Sequence, residues 1–107
     1  MTDATIDATG RKTATVNLDN PLQRPEGAVT AIILRKPMGG DLRGTKLVDL
    51  YNMDVLAMAT VVPRISSPVI HKAEFLTMDG EDIASISGEV VGFLLTKRAK
   101  AEAGLEA

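Results

Sequence analysis

Asp79, Glu81 and Asp82 form the densest carboxylate group in the chain, and carboxylates in close order are what a hard cation needs. A calcium loop sets oxygen ligands at alternate positions, with a central glycine and a distal glutamate. Here Asp79-Gly80-Glu81-Asp82 runs straight into apolar residues. That suits a helix start, with Asp79 as cap and Asp82 near the positive end of the helix dipole. Gly39-Gly40 is the nearest approach to a phosphate loop, but the lysine and hydroxyl of that motif are missing and Asp41 follows at once, which would repel a phosphate. His71 lies beside Lys72 and close to Glu74 and could move a proton. No serine, cysteine or carboxylate stands at a motif spacing from it, so it reads as a structural histidine. Gly88 and Gly92, four apart, suit either a close helix crossing or an accommodating surface. Lys97, Arg98 and Lys100, balanced by Glu102 and Glu106, read as a solvated helix end.

The inventory for catalysis is therefore empty. Cysteine is absent, which removes thiol chemistry and thiolate metal sites. A single histidine cannot build a multi-histidine metal site. Twelve basic against fourteen acidic residues leave a net charge of −2, so no electrostatic footprint for nucleic acid exists. The opening Met-Thr-Asp-Ala-Thr has neither a basic start nor an apolar run, unlike a secretion signal. No apolar stretch approaches the ~20 residues of a membrane span. The expectation is a non-enzymatic protein without cofactor, metal, nucleic acid or membrane partner, working through surfaces.

The elements follow from periodicity. Residues 1–12 are small and polar, and read as a mobile tail. Over Thr13–Leu18, Ala14, Val16 and Leu18 alternate with Thr13, Thr15 and Asn17, the pattern of a half-buried strand. Residues 19–27 hold two prolines and a closing glycine and read as a turn. Ala28–Arg35 reads as a second strand, with Ile32 and Leu34 on one face, so the two make an antiparallel hairpin. Pro37 fixes φ and holds Lys36 extended; Gly39 and Gly40 loosen the backbone; Asp41 caps a short helix carrying Leu42, Leu47, Leu50 and Tyr51, with Gly44 inside it. Asp54 caps a second helix with Val55, Met58, Ala59 and Val62 on one face, ended or kinked by Pro63. A loop over 66–68 and a short helix around Glu74-Phe75-Leu76 lead to a final helix over 80–101. Its stripe is Ile83, Ile86, Val90 and Phe93, widened by Val91 and Leu94. With Tyr51, Phe75 and Phe93 as the only aromatics, the core must be aliphatic.

The string Leu34-Arg35-Lys36-Pro37-Met38-Gly39-Gly40-Asp41-Leu42-Arg43-Gly44 resembles the tail assembly chaperone family of Mu-like and related contractile-tailed bacteriophages. The family's first strand ends in a Leu-x-x-Pro turn, matched by Leu18-Asp19-Asn20-Pro21. Its aspartate-led final helix ends in Phe-Leu, matched by Asp82 and Phe93-Leu94. The likeness covers residues 14–96. Pro63 departs from it, standing where relatives look continuously helical, and so predicts a shorter or bent second helix. The resemblance implies a prophage or phage chaperone of the host bacterial cytoplasm. Such a protein coats and solubilises the tape-measure protein before the tail tube polymerises, and in many phages a programmed frameshift makes a longer form of it. The implied partners are the tape-measure protein, that extended form and the tail tube protein, with homo-oligomers also compatible. The rival is a structural virion component: a baseplate, tube-completion or connector subunit.

The expected architecture is α+β: a two-stranded antiparallel hairpin on a bundle of three to four helices, the last the longest. One domain spans 13–101, between the tail at 1–12 and a frayed end at 102–107. Leu34, Arg35, Pro37, Gly40, Asp41, Leu42, Arg43 and Gly44 are assigned to structure. Ile86, Val90, Phe93 and Leu94 are the candidate surface for a partner or for self-association, because so small a domain leaves a many-sided apolar helix partly uncovered.

Overall fold

The computed structural model describes residues 4–6 and 10–104. Three N-terminal strands, β1 (Ala4–Ile6), β2 (Lys12–Leu22) and β3 (Val29–Arg35), form an antiparallel sheet in the order β1-β2-β3, and the two-residue β4 (Ser66–Ser67) adds to the far edge of β3. Around it run a 3-10 turn (Gly39–Leu42) and five helices: α1 (Leu47–Tyr51), α2 (Val55–Ile65), α3 (Lys72–Thr77), α4 (Gly80–Leu94) and α5 (Lys97–Glu102).

The class is α+β, as the periodicity predicts, but the sheet exceeds a hairpin and the helices exceed a bundle of four. Ala4–Ile6 pairs with Lys12–Ala14, so the tail reading of residues 1–12 gives way to an edge strand there. Its remaining stretches at 1–3 and 7–9, and the expected frayed end at 105–107, lie outside the described residues. Ser66 and Ser67, read as loop, pair with Leu34 and Ile33.

Alternation decides which face of the sheet is buried. Ala14, Val16 and Leu18 on β2 and Ile32 and Leu34 on β3 are buried, because side chains two apart share a face. Opposite them the helices contribute Leu50, Met58, Val61, Val62, Ile65, Phe75, Ile86 and Val90 to one core. On α2 the buried face is Met58, Val61, Val62 and Ile65, while Val55, predicted to share it, is exposed. Pro63 does not end α2, which continues to Ile65. The ring removes one N–H, but the Ser66 N–H still closes the last turn on the Val62 carbonyl.

Two predicted elements divide. Gly44 is not inside a helix. Its φ of +83°, which glycine adopts without strain, separates the 3-10 turn from α1. The final helix also breaks: Leu95 and Thr96 are extended, and the Thr96 hydroxyl accepts the Ala99 N–H to start α5. The longest helix is thus α4, followed by a separate short one.

Candidate interaction surface

Three polar clamps hold the frame. The first is built from the 34–44 string. Arg35, at the end of β3, donates from both terminal nitrogens to the Asp41 carboxylate (2.9 and 3.1 Å) and also to the Arg64 carbonyl (2.6 Å). Arg64, on α2, returns donors to the Asp41 and Arg43 carbonyls (3.0 and 2.7 Å). Asp41 therefore does not cap a following helix. It reaches back to accept the Met38 N–H (2.9 Å), and the Arg35 guanidinium holds its carboxyl below the usual carboxylate range. Arg43 donates to the Gly40 carbonyl (2.6 Å). Arg35, Asp41 and Arg64 together tie sheet, turn and α2.

The second clamp was not legible as such. Between Asn17↔Ala31 and Leu22↔Val29, β2 spends more residues than β3, so the strand bulges and its N–H groups leave the ladder. Asp82, at the start of α4 and only 1% exposed, accepts the Asp19 N–H (2.7 Å), the Asn20 N–H (3.0 Å) and the Asn20 side-chain amide (3.3 Å). Asp79 holds the cap position, but its backbone carbonyl, not its carboxylate, accepts the first helical N–H groups. The acidic cluster is thus pulled apart, with Asp82 inward and Asp79 and Glu81 exposed.

In the third, Arg24 in the β2–β3 turn donates twice to Glu74 (3.0 and 2.8 Å) and once to the Val69 carbonyl (2.6 Å). Glu74 also accepts the His71 N–H (3.1 Å), so His71 and Glu74 form a helix start. The Arg24 pairing pulls the Glu74 carboxyl below its ordinary range. Among the described residues no group of three or more His, Cys, Asp or Glu could hold a metal, and no helix is long and apolar enough to cross a membrane.

The candidate partner residues separate sharply. Ile86 and Val90 are fully buried, which corrects their placement on an open surface: β2 and α1 pack on α4 and seal them. Phe93 and Leu94 are half-buried at the margin of the core, and the Leu94 carbonyl accepts the Tyr51 hydroxyl (3.1 Å).

The exposed apolar surface lies on the α1–α2 corner instead. Leu47, Val48, Tyr51, Met53, Val55 and Leu56 all stand in solvent, Leu56 by 62% and Val48 by 59%. Only Leu50 of α1 is buried, because five residues make little more than one turn and cannot point four apolar side chains inward. The corner is stiffened by the Asp54 carboxylate on the Ala57 N–H (2.9 Å) and by Met53 at φ +57°. A five-residue helix carrying four apolar residues, Leu47, Val48, Leu50 and Tyr51, is the sequence signal that could have found this ridge. Scattered exposed apolar residues are ordinary, but six within ten positions are the kind of patch that marks a partner site.

Comparison with known proteins agrees in one direction. The family model described as phage tail assembly chaperone proteins, E, or 41 or 14, matches residues 15–95. Tail assembly protein E of Escherichia phage P2 is 37% identical over 79 residues, 74% of this chain and 87% of that protein. Tail assembly protein E′ of the same phage is 35% identical over 82 residues, 77% of this chain but only 58% of that longer relative. No solved structure matches the chain.

Proposed function

Because the chain belongs to the phage tail assembly chaperone family, we propose that it binds the tape-measure protein and keeps it soluble until the tail tube polymerises on it. The observation that carries this reading is the apolar ridge of Leu47, Val48, Tyr51, Met53, Val55 and Leu56, presented on clamped helices with no catalytic constellation beside it. A long helical partner would lay an apolar stripe along such a ridge. Covering the exposed half of each aliphatic side chain contributes on the order of 1 kcal/mol, which suits a grip that must later release. Phe93 and Leu94 would extend the contact at the margin, and Ile86 and Val90 would support it from beneath.

The further roles belong to the same reading. The protein would act in the host cytoplasm. A longer frameshifted form is supported by the two phage P2 relatives, which match over 82 and 79 residues although E′ is the longer protein. That form, the tail tube protein and a second copy of the chain are the other expected partners.

Co-expression with the tape-measure protein of the same phage tests the reading. The intact chain should move the tape-measure protein into the soluble fraction, and Val48→Asp/Leu56→Asp should fail to do so while keeping its far-UV circular dichroism. Equal tape-measure solubility with and without this chain would refute the chaperone role. Finding the chain in purified virions by mass spectrometry would favour a structural component.

A further inference from the structure

The lysines of this acidic chain are not spread evenly. Lys12 on β2, Lys36 just after β3, and Lys97 and Lys100 on α5 line one cavity of about 170 Å³, with Phe93 and Leu95 supplying its apolar part and no carboxylate among its lining residues. Three segments distant in sequence build it. The Lys36 N–H donates to the Lys12 carbonyl (2.8 Å), which sets these two lysines on neighbouring strand ends. Lys97 and Lys100 are three apart on α5 and share one side of it. The break at Leu95–Thr96 places α5 against this corner.

The ion pairs among the described residues engage Arg11, Arg24, Arg35 and Arg98, and none of these four lysines. Gathering like charges with no carboxylate among the described lining residues works against the folded state. Opposite charge brought by a ligand would relieve that cost. The apolar part beneath, with Phe93 and Leu95 only half-buried, adds a demand for an apolar group. We infer that this cavity binds an acidic peptide segment, its carboxylates meeting the lysines and one aliphatic or aromatic side chain resting on Phe93 and Leu95.

Size and charge favour that occupant. Pockets for whole small molecules run to roughly 300 Å³ and above, so this cavity fits a single side chain better than a nucleotide or metabolite. A net charge of −2 repels nucleic acid at longer range, whereas a short acidic peptide meets only the local field. The cavity meets the margin of the tape-measure contact only at Phe93, and its four lysines lie outside that contact, so the inference does not rest on the tape-measure reading.

Fluorescence anisotropy with a labelled peptide of glutamates and aspartates around one phenylalanine tests it on the full chain. Binding should weaken about tenfold in Lys97→Glu/Lys100→Glu, persist in Lys97→Arg/Lys100→Arg, and fall by a similar factor between about 0.05 M and about 0.5 M salt. The Gln/Asn counterpart of the peptide should bind far more weakly. Lys36→Glu, outside any helix, repeats the charge test should the double variant not fold. Absence of acidic-peptide binding, equal binding by the folded charge-reversed variants, or tighter binding of a single-stranded oligonucleotide would each overturn the inference.

Discussion

Replacing Asp82 should destabilise this protein more than its position on a first helical turn suggests. An exposed aspartate there contributes ~0.3–1 kcal/mol through the helix dipole. Asp82 is buried and accepts three hydrogen bonds, two of them from backbone N–H groups that the β2 bulge removes from the strand ladder. Hydrogen bonds to a charged group contribute roughly 1.5–3 kcal/mol each. Two terms reduce that sum. Asp19 and Asn20 are exposed residues, so their freed donors regain water, and the carboxylate no longer has to be desolvated. About 2–3 kcal/mol remains for Asp82→Ala, out of a total of ~5–15 kcal/mol for a domain of this size. The matching fall in Tm is about 10–20 °C. Asp82→Asn should cost less, about 1–2 kcal/mol, since one oxygen still accepts while the amide nitrogen turns a donor toward a donor. Urea unfolding followed by circular dichroism measures both. Amide hydrogen exchange supplies the local readout: the Asp19 and Asn20 N–H groups, slow in the parent, should exchange fast in Asp82→Ala. Stabilities within about 0.5 kcal/mol of the parent, with Asp19 and Asn20 still protected, would refute the clamp.

Ile86→Ala should cost about 2–5 kcal/mol in thermal or urea unfolding, because Ile86 is sealed in the core; a neutral result would return it to the surface. Ser87 is 2% exposed and its hydroxyl has no hydrogen-bond partner, so Ser87→Ala should raise stability by up to ~1 kcal/mol in the same assay. The pH dependence has a definite sign. Asp41 and Glu74 are more acidic folded than unfolded, through Arg35 and Arg24 respectively. The unfolded chain then binds more protons in acid, so their contribution is complete above the ordinary carboxylate range and is lost as pH falls through the lowered values. Urea midpoints should fall between about pH 5 and about pH 2, and fall less steeply in Asp41→Asn and Glu74→Gln, whose baseline at neutral pH is already lower.

What local pattern could determine, it did. Strand alternation placed Ala14, Val16, Leu18, Ile32 and Leu34 on the buried face. Asp54 announced the start of α2, and Glu74-Phe75-Leu76 lies within a helix. The 34–44 string marked a structural turn and the family. Those features depend on neighbours a few residues away, or on a motif carried whole in the chain. Tertiary structure alone decided the rest. Asp82 looks like a dipole residue until a bulge 62 residues earlier offers it donors. Gly44 and Thr96 end helices where periodicity would carry them on. Ile86 and Val90 look as available as Leu56 and Val48, since an apolar stripe states that it will be covered but not by what. Cover came to α4 from β2 and α1 and never reached the corner of α1 and α2. Burial is a property of distant surfaces meeting, which no single segment encodes, so the exposed ridge and the lysine-lined cavity emerge only when the chain is folded.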